Sequence, residues 1–493
     1  MTRAVDTAVK LVVSDDGLVD SVEGIECIMI YSLYENNKGN LRRAWVVLRR
    51  AMTLAQVMGL HQGAHAPLPK TACVETRRRI HPEHMWRRLN QSDQYLSLVL
   101  GLPPACTQSG ELGGPATLER CTAAERMERL EAVASGHILR RNTTNLGDLN
   151  TTQEVDEILR KASECMPPQW WLMPDLAFSF FDEMQAFRET VRITTQFTHY
   201  TLLLHLHLPY VLCPSDDQRY DQSKITAATA SREILVRYLA IRGSDPTSFY
   251  CRGIEFIAFI ACTVLTLAHI QAQCLPSIPG EHNLHQVRGA VFAFLKHQRL
   301  SDRGFMERVL ESMDRMVESN GDRIASKMTI IIRPLLAIEA KAAHGSHYET
   351  RSSLGVKEDD LECNGSLCED DSLLHIYMPN TGTVDIEHCG QSRSTNRPPA
   401  TMLRSTSPDV FRADLESACH WPLVGEQVNG GTSIHPGTCT GPSSVVGVAP
   451  PADDWALEGV DMALFDNIFN GVAMSGINFA EDCSHFIGDV STG

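Results

Sequence analysis

The chain has 493 residues, room for two to four domains at about 100–200 residues each, and its 43% hydrophobic content can build a substantial core. The formal charge is −16, and the excess sits at one end: residues 345–493 carry 6 Lys+Arg against 22 Asp+Glu, leaving 38 of each before them. That balance argues against an electrostatic nucleic-acid binder, which needs a net basic face.

In chain order, helical periodicity governs the first 344 residues. Val22, Ile25, Met29 and Leu33 recur at helical spacing and predict a first helix. A turn cluster at 36–40 follows. Leu41, Ala44, Leu48, Ala51 and Ala55 then form a second stripe that Gly59 stops, so the two helices make an antiparallel hairpin. Pro82 suits the first turn of a third helix carrying Met85, Leu89, Leu96 and Val99, which ends before Gly101-Leu102-Pro103-Pro104. Further helices are predicted at 118–133, 151–166, 174–208, 217–242, 246–273, 283–319 and 322–344. The uncharged run 256–268 is short of the ~20 residues a membrane span needs and reads as a buried core helix. The fold class is therefore all-α: a multi-helix bundle of antiparallel hairpins over 1–344, with a long disordered tail. Residues 345–451, rich in Gly, Ser, Thr, Asn and Pro with an acidic knot at 358–371, are expected to be a disordered linker. A third segment, 452–493, opens on an acidic and strongly apolar stretch.

Fifteen cysteines run from Cys27 to Cys483, and no two are separated by just two residues. Structural zinc sites usually chelate through such tight pairs, so no metal is expected in this chain. Cys262 and Cys274 lie in apolar runs and read as small buried hydrophobes. Residues 1–20 hold Asp6, Asp15 and Asp16 and no long apolar core, so no signal peptide is expected and the thiols should be free. His205 and His207 cannot face one way on a helix, and His81 with His84 lacks a third ligand. No nucleophile elbow, Walker loop or dinucleotide fingerprint is present, so no catalytic or cofactor-binding residue is assigned and the chain is not read as an enzyme. Arginines cluster at Arg42-Arg43, Arg49-Arg50, Arg77-Arg78-Arg79 and Arg87-Arg88. A phosphate-binding face is one reading, and a solvated face paired with Asp and Glu is the favoured one.

Two stretches, 39–61 and 77–105, carry a joint pattern. Arg50, Ala51, Ala55, Gly59, Leu60 and His61 stand in the first; Trp86, Asp93, Leu96, Ser97, Leu98, Gly101 and Pro103 stand in the second. In order and spacing they resemble the middle homology region of fungal zinc binuclear-cluster transcription factors. From the residues alone these are packing positions: Trp45, Leu48, Leu60, Trp86 and Leu89 as core candidates, Gly59 and Gly101 as chain reversals. The resemblance implies a nuclear regulator of metabolic or secondary-metabolite genes. It also implies a six-cysteine module binding two zinc ions, built on two Cys-x-x-Cys pairs that this sequence does not contain. Zinc is thus expected only in relatives with that cluster. DNA would be reached indirectly or through a missing N-terminal module, with a truncated gene, a degenerate gene and a regulator without its own DNA contact all left open. A homodimer or a partner factor fits the family; a membrane does not. The alternative is a DNA-independent helical adaptor or small-molecule sensor derived from such a factor.

The candidate functional residues lie in 453–470. Five acids are interleaved with Trp455, Leu457, Val460, Met462, Leu464, Phe465, Ile468 and Phe469, with no basic residue. On a helix Leu457, Val460, Leu464 and Ile468 make one apolar stripe. Like charges and short length keep such a segment unfolded and solvated until a groove accepts it. It is expected to be an activation motif anchored by Trp455, Leu457, Leu464, Phe465, Ile468 and Phe469 and received by a transcription coactivator. A terminal helix docked on the chain's own core is the competing reading.

Overall fold

The computed structural model describes residues 2–389 except 39, 66–70, 72, 74, 76–81, 107–117, 120, 175–182, 214–217, 245–252, 275–283, 354–372 and 379–381. The 453–470 segment and its six anchors lie outside the described residues.

The all-α reading holds, with twelve α-helices among the described residues and a small sheet added. A short helix α1 (Thr2–Ala8) runs into a π-turn (Val9–Val13) and a one-turn helix α2 (Asp16–Val19). The first predicted hairpin is α3 (Val22–Asn37) and α4 (Leu41–Val57). Ser21 caps α3 by accepting from the Gly24 amide. The predicted α4 stripe is buried throughout, from Leu41 to Ala55. Gly59 and Gly101 take φ of 79° and 69°, the left-handed conformation that chain reversal requires.

Next come α5 (Pro82–Leu100), α6 (Ala123–Thr144) and α7 (Leu149–Glu164). The helix expected at 118–133 instead starts at Ala123 and runs to Thr144, because Thr122 and Glu125 close a reciprocal capping box. Then follow α8 (Glu183–Val211), α9 (Asp221–Ser244), α10 (Gly253–Cys274), α11 (Leu284–Asn320) and α12 (Arg323–Ala343). Chain neighbours pack as hairpins: α3 on α4, α6 on α7, α8 on α9, α11 on α12. Helix α10 lies among α8, α9, α11 and α12, and its residues from Ile254 to Ala272 are all buried. It is long and apolar enough to cross a membrane, at mean hydropathy 1.9, yet that stretch is wholly enclosed by protein and is a core helix. Cys262 sits in it as a free thiol whose pKa burial pushes up; the Cys274 side chain is outside the description.

Several buried charges cross this apolar centre together with a partner of opposite sign. Asp302 of α11 is fully buried and takes both Arg232 of α9 (2.6 and 2.9 Å) and His269 of α10 (2.8 Å). Arg242 of α9 meets Glu255 of α10, and Arg299 and Arg303 of α11 converge on Glu339 of α12. Removing one partner from such a site strands a buried charge, so these pairs fix which helices adjoin.

Beyond His344 the fold departs from the expected linker. Strands β1 (Tyr348–Ser353), β2 (Leu373–Met378) and β3 (Gly382–His388) form an antiparallel sheet ordered β1-β3-β2. Tyr348 pairs with His388, and Ile376 with Val384. Leu374, Ile376, Met378, Val384 and Ile386 alternate along the strands and are buried in the same core cluster as α10. Period-2 burial against a helical layer supplies the apolar area that the average composition of 345–451 conceals.

Candidate functional site

The patterned stretches 39–61 and 77–105 converge on one buried polar centre between α4, α5 and the 101–105 loop. Asp93 of α5 is 1% exposed. One oxygen accepts the Ala105 amide at 2.6 Å, and the other lies 2.8 Å from Arg49 Nε of α4 as an ion pair off the hydrogen-bond line. Arg49 also donates to the Pro103 carbonyl and lies over the Trp45 ring, 4.3 Å from its centroid. The Trp45 indole N–H donates to Ser97 Oγ at 3.2 Å, and Ser97 donates to the Pro103 carbonyl at 3.4 Å. Leu102 N–H closes the turn on the Ser97 carbonyl at 3.0 Å. The Asp–Ser–Gly–Pro pattern is therefore a lock: two side chains of α5 and two of α4 hold the loop that leaves the helix. Burial pushes the Asp93 carboxyl above its ordinary range, against the pull of the Ala105 amide and Arg49. The same desolvation lowers Arg49, which Asp93 pulls back.

Asp93, Ser97, Gly101 and Pro103 were legible as a motif; Arg49 and Trp45 were not recognised as their partners. Trp45 and Trp86, expected in the core, sit half-buried at its edge. Several arginines of these clusters pair with acids inside the chain, Arg43 on an exposed face and Arg87 in a buried one rather than on the solvated face expected. Arg43 reaches Glu35 at 3.6 Å, Arg50 reaches Asp16 and the Val13 carbonyl, and Arg87 reaches Glu128 at 3.0 Å. Arg77-Arg78-Arg79 lie outside the described residues.

The histidines also have local explanations. His84 lies against two guanidiniums, Nδ1 2.9 Å from Arg87 and Nε2 3.4 Å from Arg88, of which a neutral ring can accept from one, while His81 is outside the description. His205 is buried and held neutral, its pKa pushed down to about 4 by burial and then by Arg141. His207 Nε2 lies 3.4 Å from Asp156. Among the described residues no cluster of three or more His, Cys, Asp or Glu could hold a metal ion. A shallow recess of about 30 Å³ between α3, α4 and α5, lined by Ser32, Asn36, Ser92 and Tyr95 with Met29, Leu33, Leu48 and Leu96, has room for about one water. No constellation among these residues matches a nucleophile, base and orienting group.

No protein-family model matches the chain, and no solved structure matches it. Curated relatives do. It is 36% identical over 83% of its length to the "Dehydrocurvularin biosynthesis regulator" of Alternaria cinerariae, covering 51% of that protein. It is 32% identical over 96% of its length to the regulator of the same name in Aspergillus terreus, covering 68% of it. The "Probable transcription factor gsfR1" of Penicillium aethiopicum is 30% identical over 97% of this chain, with 70% covered. The chain belongs to this family of fungal transcription factors and biosynthesis regulators. It spans about half the length of the Alternaria relative and about two thirds of the other two.

Proposed function

We propose that this chain is the regulatory and activating portion of a transcription regulator of fungal secondary-metabolite genes. The observation that carries this is the 32% identity, spread over 96% of the chain, to the Aspergillus terreus biosynthesis regulator. The finer layout is also part of the proposal. The helical body would be a middle homology region, and zinc would enter only through a cysteine module of the kind found in zinc-cluster factors. The protein would act in the nucleus, reaching DNA through such a module or through a partner factor. The 452–493 segment would recruit a coactivator through Trp455, Leu457, Leu464, Phe465, Ile468 and Phe469.

Promoter occupancy tests the first half. Chromatin immunoprecipitation of the tagged full chain should enrich one set of biosynthetic promoters, and deletion should silence those genes. Silencing without occupancy would favour the DNA-independent adaptor. For the tail, residues 451–493 fused to an unrelated DNA-binding domain should activate a reporter. Activity should fall severalfold when Trp455, Phe465 and Phe469 become Ala with all five acids of 453–470 kept. A silent fusion at normal abundance would point to a segment docked on the body.

A further inference from the structure

Helix α12 packs on α10 and α11, with Met328, Ile332, Leu335 and Glu339 buried on that side. Its opposite face is turned outward, and much of it is apolar. Ile330 is 54% exposed, Pro334 is half-buried and Ala337 is exposed, with the exposed Lys341 one turn further on. Steps of four, three and four residues set these four positions on one stripe. Ile331 borders the stripe and is itself only partly buried. The sole acid of α12, Glu339, is buried against Arg299 and Arg303, so the outward side carries Lys327, Arg333 and Lys341 and no carboxylate of its own. Arg333 meets Asp314 of α11 and stays 58% exposed. Helix α4 also exposes Val46 and Val57, but Arg50 and Thr53 stand between them and break the stripe.

The chain holds a matching stripe. Residues 453–470 contain five acids and no base, and Asp453, Leu457, Val460 and Leu464 recur at the same steps of four, three and four. Laid antiparallel on α12 as a helix, Asp453 falls on Lys341, Leu457 on Ala337, Val460 on Pro334 and Leu464 on Ile330. Both stripes then run about 17 Å along the helix axis. Such spacing is common to amphipathic helices, so it is the charges that choose the partner and the direction. Antiparallel seating brings Asp453 and Asp454 to Lys341 and Phe465 beside Ile331, whereas parallel seating sets Ile468 against Lys341. Residues 390–452 lie between the sheet and this segment. A coil of their length averages roughly 45 Å end to end, enough to cross a body of this size.

We propose that the outward face of α12 is a docking site for the chain's own 453–468 segment, seated as an antiparallel helix that covers Leu457, Leu464 and Phe465. On the reading of that segment as an activation motif, on which this consequence rests, docking masks three of its six anchors until a coactivator competes for them. One helix face binds weakly, but a tether of this kind supplies an effective concentration on the order of 1 mM. A docked-to-free ratio of about two to one leaves one chain in three open and raises a coactivator's apparent Kd about threefold. It moves the melting temperature by only about 1 °C.

Carbodiimide crosslinking of the full 493-residue chain tests the docking, because it joins a lysine amine to a carboxylate only where the two touch. In an equal mixture of isotope-labelled and unlabelled chains, Lys341 should link to Asp453 or Asp454 within one chain. It should do so more often than the exposed Lys10, Lys38, Lys161 and Lys296 link to any acid of 453–470. Ile330→Asp, a change at an exposed site, should cut the Lys341 link about threefold or more while moving the melting temperature by no more than about 1 °C. Links spread evenly over the exposed lysines, links only between labelled and unlabelled chains, absence of the Lys341 link, or a link indifferent to Ile330→Asp each overturn the docking. The full chain fused to an unrelated DNA-binding domain reads the masking: Ile330→Asp should raise reporter output about threefold. A Lys341 link that Ile330→Asp removes, with both fusions silent, upholds the docking and defeats the activation reading. Equal output from both fusions, with 451–493 active alone, overturns the masking.

Discussion

Asp93 concentrates more of the local architecture than any other side chain of the patterned region, because it accepts from the Ala105 amide and balances Arg49 across two helices. Asp93→Ala frees a backbone donor and strands a guanidinium that is still 25% exposed. Breaking a buried pair costs about 3–5 kcal/mol; allowing for solvent around Arg49, a loss of about 2–3 kcal/mol is expected by urea denaturation. Asp93→Asn keeps an acceptor for Ala105 and should lose less. Since burial raises the folded-state pKa, the native protein binds a proton more readily than the unfolded chain. Wild-type stability relative to Asp93→Asn therefore falls as pH rises through that raised value and recovers on acidification. Denaturation midpoints of both proteins in a pH series upward from about 4 check the sign: the deficit of Asp93→Asn should shrink as pH rises. Gly24 makes a second residue-scale case. A Cβ there would stand 2.3 Å from Val19 Cα, against backbone that cannot yield without parting α2 from α3. Gly24→Ala should cost about 1–3 kcal/mol, the range for overpacking, despite Ala's better helix propensity. The sequence marked Gly59 and Gly101 through their places at stripe ends. It gave no sign of Gly24, which sits inside a stripe and is small because another segment crosses it.

At the scale of elements, the helices were legible because burial on one side imposes a period that the side chains record directly. What the period does not record is how a flaw in one helix is mended by another. Pro209 lies in the last turn of α8 and has no N–H to give the His205 carbonyl. Arg141 of α6, 2% exposed, donates to the His205 carbonyl at 3.4 Å and the Leu206 carbonyl at 2.7 Å. It also donates to Thr152 Oγ1 of α7 at 2.9 Å, which shares a 2.6 Å hydrogen bond with Tyr210. A buried cation is thus spent on neutral oxygens, among them the His205 carbonyl that Pro209 leaves free, and burial lowers its pKa. Arg141→Met should cost about 2–4 kcal/mol, since each buried acceptor left unpaired costs about 1–3. Pro209→Ala restores an N–H to the helix, so it should soften that loss. A double-mutant cycle should then give a coupling of about 0.5–1 kcal/mol, and strict additivity would show that Arg141 does not serve the His205 carbonyl that Pro209 exposes. The 118–133 helix was misplaced for a related reason. Its start is fixed by the capping box of Thr122 and Glu125, a local hydrogen-bond pattern that outweighs the apolar residues before it.

For the whole molecule, the question is where the folded body ends. A composition average over residues 345–451 predicts a linker from its first residue, but six-residue runs such as Leu373–Met378 are too short to move that average. The sheet they form is tied to the helices by its own side chains: Tyr348, Leu374, Ile376, Met378, Val384 and Ile386 are each at most 8% exposed and belong to the core cluster that contains α10. Burying a side chain of this size is worth about 1.5–3 kcal/mol, offset in part by the entropy of ordering the strands. A chain cut after residue 344 would uncover the apolar face that the sheet covers, including the surface of α10 beside β1. A chain cut after residue 390 would keep it. Residues 1–390 should therefore match the full chain in melting temperature within about 1 °C, while 1–344 should melt about 3 °C lower, as a net loss of ~2 kcal/mol implies for a body of this size. The shorter chain should also bind a hydrophobic dye such as ANS before it unfolds, because the uncovered patch is apolar and contiguous. Limited proteolysis of the full chain gives an independent reading: the resistant fragment should retain Val384 and Ile386, and trimming that proceeds to His344 with no change in melting temperature would show that the sheet adds nothing to the core.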